Sequence, residues 1–95
     1  MASDKEQMMS SANYYVGLVT SAKNDCADVF VQLITPINEI DRYWKGTAGA
    51  QMVQDLEDAR RKIKGLHDRL IFLESQMKAQ AANIYNTWPE SEDAM

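Results

Sequence analysis

The sequence holds one cysteine, Cys26, and one histidine, His67. A structural zinc site needs about four cysteine or histidine ligands, so these two side chains do not supply one. Di-iron sites in helical bundles use the spacing Glu-x-x-His, whereas Lys64 lies three positions before His67. We therefore expect no metal and no cofactor.

Nucleophilic and phosphate-binding motifs are also missing. A reactive thiol needs a positive neighbourhood, but Asp25 lies closer to Cys26 in the sequence than Lys23 does. Gly46 and Gly49 do not have the spacing of a phosphate loop and follow no predicted strand. We expect that the protein is not an enzyme.

The charge pattern argues against nucleic acid and membrane partners. Ten basic and fourteen acidic residues give a net charge of −4. The basic residues at 60–64 lie close to the acids Asp55, Glu57 and Asp58, as on a solvated helix face. No apolar stretch approaches the roughly 20 residues that span a bilayer. The polar start, Met1 to Gln7, lacks the apolar core of a general secretory signal.

Apolar residues repeat with a seven-residue period that is typical of packed helices. In the first half, the two series are Ala12, Val19, Cys26, Leu33 and Ile40, and Tyr15, Ala22, Val29, Pro36 and Tyr43. In the second half, the same spacing gives Met52, Leu56, Ala59, Ile63, Leu66, Leu70, Leu73, Met77 and Ile84.

These repeats predict an all-α fold, an antiparallel two-helix hairpin in one domain that spans residues 1–95. We expect helix one over about 6–43, a turn at 44–47, helix two over about 48–88 and an acidic tail at 89–95. Pro36 predicts a kink, or a full break near Thr35.

A single hairpin buries only one stripe of each helix, which leaves its stability marginal. Further apolar residues lie off the predicted stripe, and a second hairpin packed on them would complete a four-helix bundle. The candidates for this dimer interface are Val16, Phe30, Ile34, Ile37, Ile71 and Phe72, and Val53 is also off the stripe.

The turn contains Trp44 and Gly46. Glycine lets the chain reverse without strain at Cβ, and the indole offers a large apolar surface at a helix end. Two interpretations stay open: the pair caps the hairpin, or it forms a docking site.

Trp44-Lys45-Gly46, near the middle of 95 residues and between two amphipathic helices, resembles the WXG family of type VII secretion substrates. Ala48 and Met52 follow the motif where that family places a small and then an apolar residue. The resemblance covers essentially the whole chain as an architecture.

The resemblance implies folded hairpins that pair with themselves or with a sibling hairpin protein. It implies recognition by a type VII secretion ATPase and export without a cleaved signal peptide from a cytoplasmic pool. It also implies a role in virulence or interbacterial competition, in some cases as the targeting partner of a larger toxin. In the family, the Trp-x-Gly turn of one partner lies near the C-terminal signal of the other.

The C-terminal signal implied by the resemblance is Tyr-x-x-x-Asp/Glu. Here Pro89 stands four residues after Tyr85, and Glu90 comes one place late, whereas Trp88 has Glu92 at the required spacing. Tyr85, Trp88, Glu90 and Glu92 are therefore the candidate signal. Trp88 has a second interpretation, as the end of the apolar stripe.

We predict a small type VII secretion substrate exported as a folded dimer, or a partner that targets a co-secreted protein. The alternative is a cytosolic helical adaptor or chaperone for a larger toxin or partner protein that is not exported.

Overall fold

The computed structural model describes residues 3–89, and all regular structure in this range is α-helical. Helix α1 spans Asp4–Gln32, α2 spans Ile34–Tyr43 and α3 spans Thr47–Asn86. We call α1 and α2 together the first arm and α3 the second arm. The prediction of an all-α fold is confirmed for these residues, with the first arm divided into two helices. None of the described helices has an apolar stretch suited to crossing a bilayer.

Helix α1 begins after an N-cap residue, Ser3. The side chain of Ser3 accepts a hydrogen bond of 3.2 Å from the backbone N–H of Glu6. Asp4 and Glu6 also place negative charge in the first turn, where it is attracted to the positive end of the helix dipole. The helix therefore starts about two residues earlier than the apolar pattern predicts.

The first arm bends at Leu33, three residues before Pro36. Pro36 has no N–H to donate to the carbonyl of Gln32, so one helical hydrogen bond is lost at this point. The N–H groups of Leu33 and Ile37 still donate to the carbonyls four residues earlier, at 3.0 and 3.2 Å. Leu33 keeps helical backbone angles, and the arm therefore continues past the interruption instead of reversing.

The two arms lie side by side and run in opposite directions. Contacts join Lys5 to Tyr85 at one end and Phe30 to Arg60 nearer the turn. The hairpin is 72 Å long, 20 Å wide and 14 Å thick. So thin a body has little interior, and only Ile37, Gly49 and Ala81 are buried among the described residues.

One predicted apolar series in each arm does lie between the arms, where its members are half-buried. These residues are Ala12, Val19, Cys26, Leu33 and Ile40 in the first arm, and Leu56, Ile63, Leu70 and Met77 in the second. This part of the predicted stripe is confirmed, whereas Ile84, the next residue of the second-arm series, is 46% exposed. We call these two series the central rows.

The second predicted series does not face the opposite arm, and this part of the stripe is wrong. Tyr15 and Val29 in the first arm, and Leu66 and Leu73 in the second, are exposed. The contact is completed by residues four positions after the central rows, which we call the inner rows. They are Val16, Lys23, Phe30 and Ile37, and Val53, Arg60, His67, Glu74 and Ala81.

Three members of the inner rows are charged. Lys23 forms an ion pair of 3.2 Å with Glu74 across the hairpin, and the hydroxyl of Thr20 donates to the same carboxylate. The guanidinium of Arg60 donates from Nε to the carbonyl of Phe30 at 2.8 Å and lies 3.8 Å from the centre of its ring. Arg60 is therefore half-buried in the arm contact, which corrects the prediction that it belongs to a solvated face.

The hydrogen bonds from Thr20 and then Lys23 lower the pKa of Glu74 below its ordinary value of 4.5. A carboxylate whose pKa is depressed by folding stabilises the folded state while it is ionised. This stabilisation is present above the pKa of the unfolded chain and is lost as the pH falls through the lower folded value.

Replacing Glu74 with Gln removes this pH dependence. We expect E74Q to lower the melting temperature at pH 7, because Lys23 loses its partner. The gap between E74Q and the unmodified chain narrows as the pH falls from about 4.5, where the wild-type carboxylate becomes protonated. Thermal melts followed by circular dichroism from pH 7 to about 3 measure both effects. E57Q is the control, because Glu57 is an exposed acid on the same helix; an equal response of both variants contradicts the assignment.

Candidate functional site

The arms are joined by three residues, Trp44, Lys45 and Gly46. Trp44 ends α2 with an extended backbone, and its N–H donates to the carbonyl of Ile40 at 2.9 Å. Gly46 precedes α3 with φ +91° and ψ −175°, a combination that is essentially restricted to glycine. The reversal of the chain therefore depends on Gly46.

Gly49 is a second requirement of this turn, and sequence reasoning did not assign it a role. A Cβ atom at Gly49 would lie 2.6 Å from the carbonyl oxygen of Trp44 and 2.9 Å from its Cβ. Gly49 is buried and allows the first turn of α3 to pack directly against the Trp44 backbone. The only sequence signal for this contact is the placement of two glycines within four residues.

The side chain of Trp44 is not used to close the hairpin. Trp44 is 54% exposed, and the neighbouring Tyr43 is exposed as well. Lys45 donates from Nζ to the carbonyl of Arg42 at 3.1 Å, which satisfies one carbonyl at the end of α2. The turn thus presents two aromatic side chains to solvent at one end of the molecule.

The opposite end carries the two aromatic residues of the candidate signal. The ammonium of Lys5 lies 4.0 Å from the centre of the Tyr85 ring, a cation–π contact that ties the start of α1 to the end of α3. Trp88 is half-buried, and its Nε1 is buried without an acceptor among the described residues. Glu90 and Glu92 lie outside the described residues, as does most of the predicted tail.

The predicted second series, extended by Met8, makes up one broad side of the hairpin. It is exposed except at Met8, Pro36 and Ala59, which are half-buried. We call this side the apolar face. It consists of Met8, Tyr15, Ala22, Val29, Pro36 and Tyr43 from the first arm and Met52, Ala59, Leu66 and Leu73 from the second. None of these side chains is charged.

Both arms turn these residues to the same side. On a helix, positions three and four after a given residue lie on its opposite flanks. The inner rows of the two arms face each other. In an antiparallel pair, the rows on the other flank of each central row then lie on the same side of the hairpin. A groove there confirms this arrangement, since residues from both arms line it, among them Met8, Tyr15 and Gln80.

The structure does not bring the six predicted interface residues together. Val16, Phe30 and Ile37 lie between the arms, in the inner rows. Ile34 and Ile71 are exposed on the side opposite the apolar face, and Phe72 points away from the first arm with 64% of its surface exposed. Their role in a dimer stays a prediction, and the apolar face is the larger continuous candidate.

Reactive groups are sparse in the described part of the chain. Nδ1 of His67 lies 3.3 Å from Oδ1 of Asp68, whose pKa is lowered chiefly by a hydrogen bond from Lys64. Within residues 3–89, no three histidine, cysteine or acidic side chains are grouped so that they could hold a metal ion. Cys26 is a free, half-buried thiol in a central row.

Comparison with protein-family models, curated proteins and solved structures finds no match to this chain. The structural arguments for its function come from three features of the hairpin: an exposed apolar face, an aromatic turn at one end and two aromatic residues at the other.

The close approach at Gly49 predicts opposite outcomes for two substitutions of glycine by alanine. G49A pushes a methyl group into the Trp44 backbone and should lower the free energy of unfolding by about 1–3 kcal/mol. G65A meets nothing within 4 Å on an exposed helix surface and should raise it by about 0.5–1 kcal/mol. Urea denaturation measures both. A neutral G49A shows that the turn does not depend on this contact.

Proposed function

We propose that this protein is a small type VII secretion substrate of the WXG kind, exported as a folded dimer, or the partner that targets a co-secreted protein. The observation that carries the proposal is the apolar face on a hairpin whose turn is Trp-x-Gly. The sequence resemblance supplies the secretion route, and the face supplies the physical reason for a partner.

The central rows explain why the partner is a second hairpin. Each central row has an inner row on one flank and a row of the apolar face on the other. The inner rows meet within the chain, whereas most of the apolar face is exposed to solvent within residues 3–89. A helix pair packed on this face would place the central rows and the apolar face in the core of a four-helix bundle.

The length of the hairpin suits an extended contact. A standard interface buries about 800 Å² on each partner, and the apolar face follows a hairpin that is 72 Å long. Leu66 is 48% exposed and Leu73 is 41% exposed. Complete burial of a fully exposed leucine contributes about 1.5–3 kcal/mol to the free energy of association. Leu66 and Leu73 contribute less than this, because each is already half-buried in the single hairpin.

The two ends of the molecule fit the bipartite signal that the resemblance implies. Trp44 lies at one end of the hairpin, whereas Tyr85 and Trp88 lie near the other. One hairpin cannot unite these groups, because the arms separate them by most of its length. A partner running in the opposite direction would set its own turn beside Tyr85 and Trp88.

The cytosolic adaptor or chaperone uses the same face without export. An apolar face of this size also suits a helical segment of a larger toxin or another partner protein. The two functions differ in where the protein is found, not in how it binds.

Removing apolar side chains from the face should abolish association and leave the hairpin folded. L66S/L73S should weaken binding to its partner, or to itself, by about 2–4 kcal/mol, because both leucines are exposed in the single hairpin. Sedimentation velocity gives the association, and circular dichroism gives the helicity. V31S is the control, since Val31 is 61% exposed and lies outside the face. Equal loss with both variants excludes the apolar face as the contact.

Replacing Trp44 with Ala should strongly reduce export at nearly unchanged helicity, because the indole is already more than half exposed. The measurement is the amount of tagged protein in the medium of a host with the secretion system, with and without its ATPase. Y14A is the control for loss of an exposed aromatic residue. Retention of the unmodified chain in the cytosol of both strains, even with its neighbouring gene products, favours the adaptor.

A further inference from the structure

Each arm has a weak point in its helical backbone. In the first arm, α1 ends at Gln32 and α2 begins at Ile34, and Pro36 leaves the carbonyl of Gln32 without its helical donor. In the second arm, Gly65 lies in the interior of α3, where only proline is less favourable than glycine. Gly65 is not required for packing, because a Cβ atom there would meet nothing within 4 Å. Its effect on the structure is therefore to loosen the backbone of α3.

The two weak points lie side by side. One cleft is lined by Ala27 and Val31 from the first arm and by Lys64 and Asp68 from the second. Gly65 lies between Lys64 and Asp68 in the sequence, and therefore lies opposite the end of α1. At this level of the hairpin, a weakened stretch of one arm faces a weakened stretch of the other.

Side-chain packing is sparse at this level. Phe30 lies between two clefts, one on the side of His67 and the other on the side of Arg60. Val31 and Ile34, just before and just after the break in the first arm, are exposed. Close packing resists bending because side chains must be displaced, and open clefts remove part of that resistance. The two weak points can therefore act together as one joint.

One contact crosses this joint. Arg60 lies on the turn side of Gly65. Phe30 lies on the opposite side of the joint, before Leu33. The guanidinium of Arg60 nevertheless donates from Nε to the carbonyl of Phe30 at 2.8 Å and lies 3.8 Å from the centre of its ring. A change in the angle of the joint must therefore break or shift the contact between Arg60 and Phe30.

The end of α1 also depends on Arg60 for charge. The last turn of α1 has no basic residue of its own. The carbonyl end of a helix favours a nearby cation, and Arg60 supplies it from the other arm. The ion pair of Lys23 with Glu74 has both partners on the same side of the joint, so it leaves the angle of the joint free.

We propose that the hairpin has a hinge at the level of Leu33 and Gly65, and that the contact of Arg60 with Phe30 is the latch that holds its angle. The hinge divides the molecule into a turn segment, residues 34–64, and an open-end segment, residues 4–32 with 66–86. Each segment keeps regular helices in both arms, so each pivots as a unit.

The hinge would move the aromatic turn. At about 1.5 Å per residue, Trp44 lies roughly 17 Å beyond Leu33, so a change of about 20° in the angle would move it by roughly 6 Å. The latch would therefore set the position of Trp44 relative to the open end of the hairpin. The hinge belongs to the single hairpin and does not depend on the proposed function.

Residual dipolar couplings of the backbone N–H groups in a weakly aligned sample test the hinge, because they report how the two segments are oriented and how far they move. One alignment tensor should describe both segments of the unmodified chain. R60M removes the donor and the charge but keeps an apolar side chain against Phe30. In R60M, we expect the couplings of the turn segment to shrink to about four-fifths of those of the open-end segment, as for motion of about 30° to either side.

Two matched variants separate a hinge from a general loosening. R61M is the control, because Arg61 pairs with Asp58 on its own helix and crosses no joint; it should leave one tensor for both segments. P36A/G65A/R60M lacks the latch but has neither weak point, and it should also return to one tensor. R60K keeps the charge and loses the Nε donor, so it should show a smaller reduction than R60M, and it replaces R60M if that variant does not fold.

One tensor for both segments in R60M and R60K overturns the proposal, since the joint would then be rigid without its latch. Equal shrinkage in P36A/G65A/R60M also overturns it, because the motion would not arise at Pro36 and Gly65. Shrinkage of both segments together contradicts a hinge at this level. None of these outcomes bears on the apolar face or on export, which L66S/L73S and the replacement of Trp44 test separately.

Discussion

The structure depends on one geometric constraint of helix surfaces: a row of apolar residues has two flanks, and a single neighbouring helix can cover only one. In both arms the central row is covered on the flank that contains Ile37 and Ala81. The other flank contains Tyr15 and Leu66, and it stays in solvent. The thin hairpin, its small buried interior and its apolar face all follow because one flank is covered and the other is exposed.

Sequence reasoning identified the helices, the turn and the central rows, because a seven-residue period and paired glycines are strong local signals. It did not identify the flank that faces the opposite arm. The exposed flank holds more apolar residues than the inner one, where Lys23, Arg60 and Glu74 interrupt Phe30 and Ala81. The apolar composition of the exposed flank therefore favoured the wrong flank. Lys23 and Glu74 fit between the arms because they form an ion pair, and a contact between positions about 50 residues apart leaves no local pattern in the sequence.

At the candidate site, too, sequence reasoning found the residue types but not the contacts between them. Trp44 and Gly46 stand out in the sequence because glycine is typical of a helix end and tryptophan is a large apolar residue beside it. The requirement at Gly49 rests on a distance to the Trp44 backbone, which no pattern of residue types encodes. The bend was expected at Pro36, but it begins at Leu33, since the missing donor of a proline affects the preceding turn of the helix.

The contacts of Glu74 and Arg60 have a consequence for alignment. A seven-residue repeat is nearly self-similar, so the apolar rows alone specify the alignment of the arms only weakly. The three-residue turn at 44–46 prevents one arm from sliding by a whole repeat. The carboxylate of Glu74 finds Lys23 in one alignment only, and the guanidinium of Arg60 finds the carbonyl of Phe30 in the same one. The polar contacts and the short turn therefore specify the same alignment, and together they determine which residues of the two arms lie side by side.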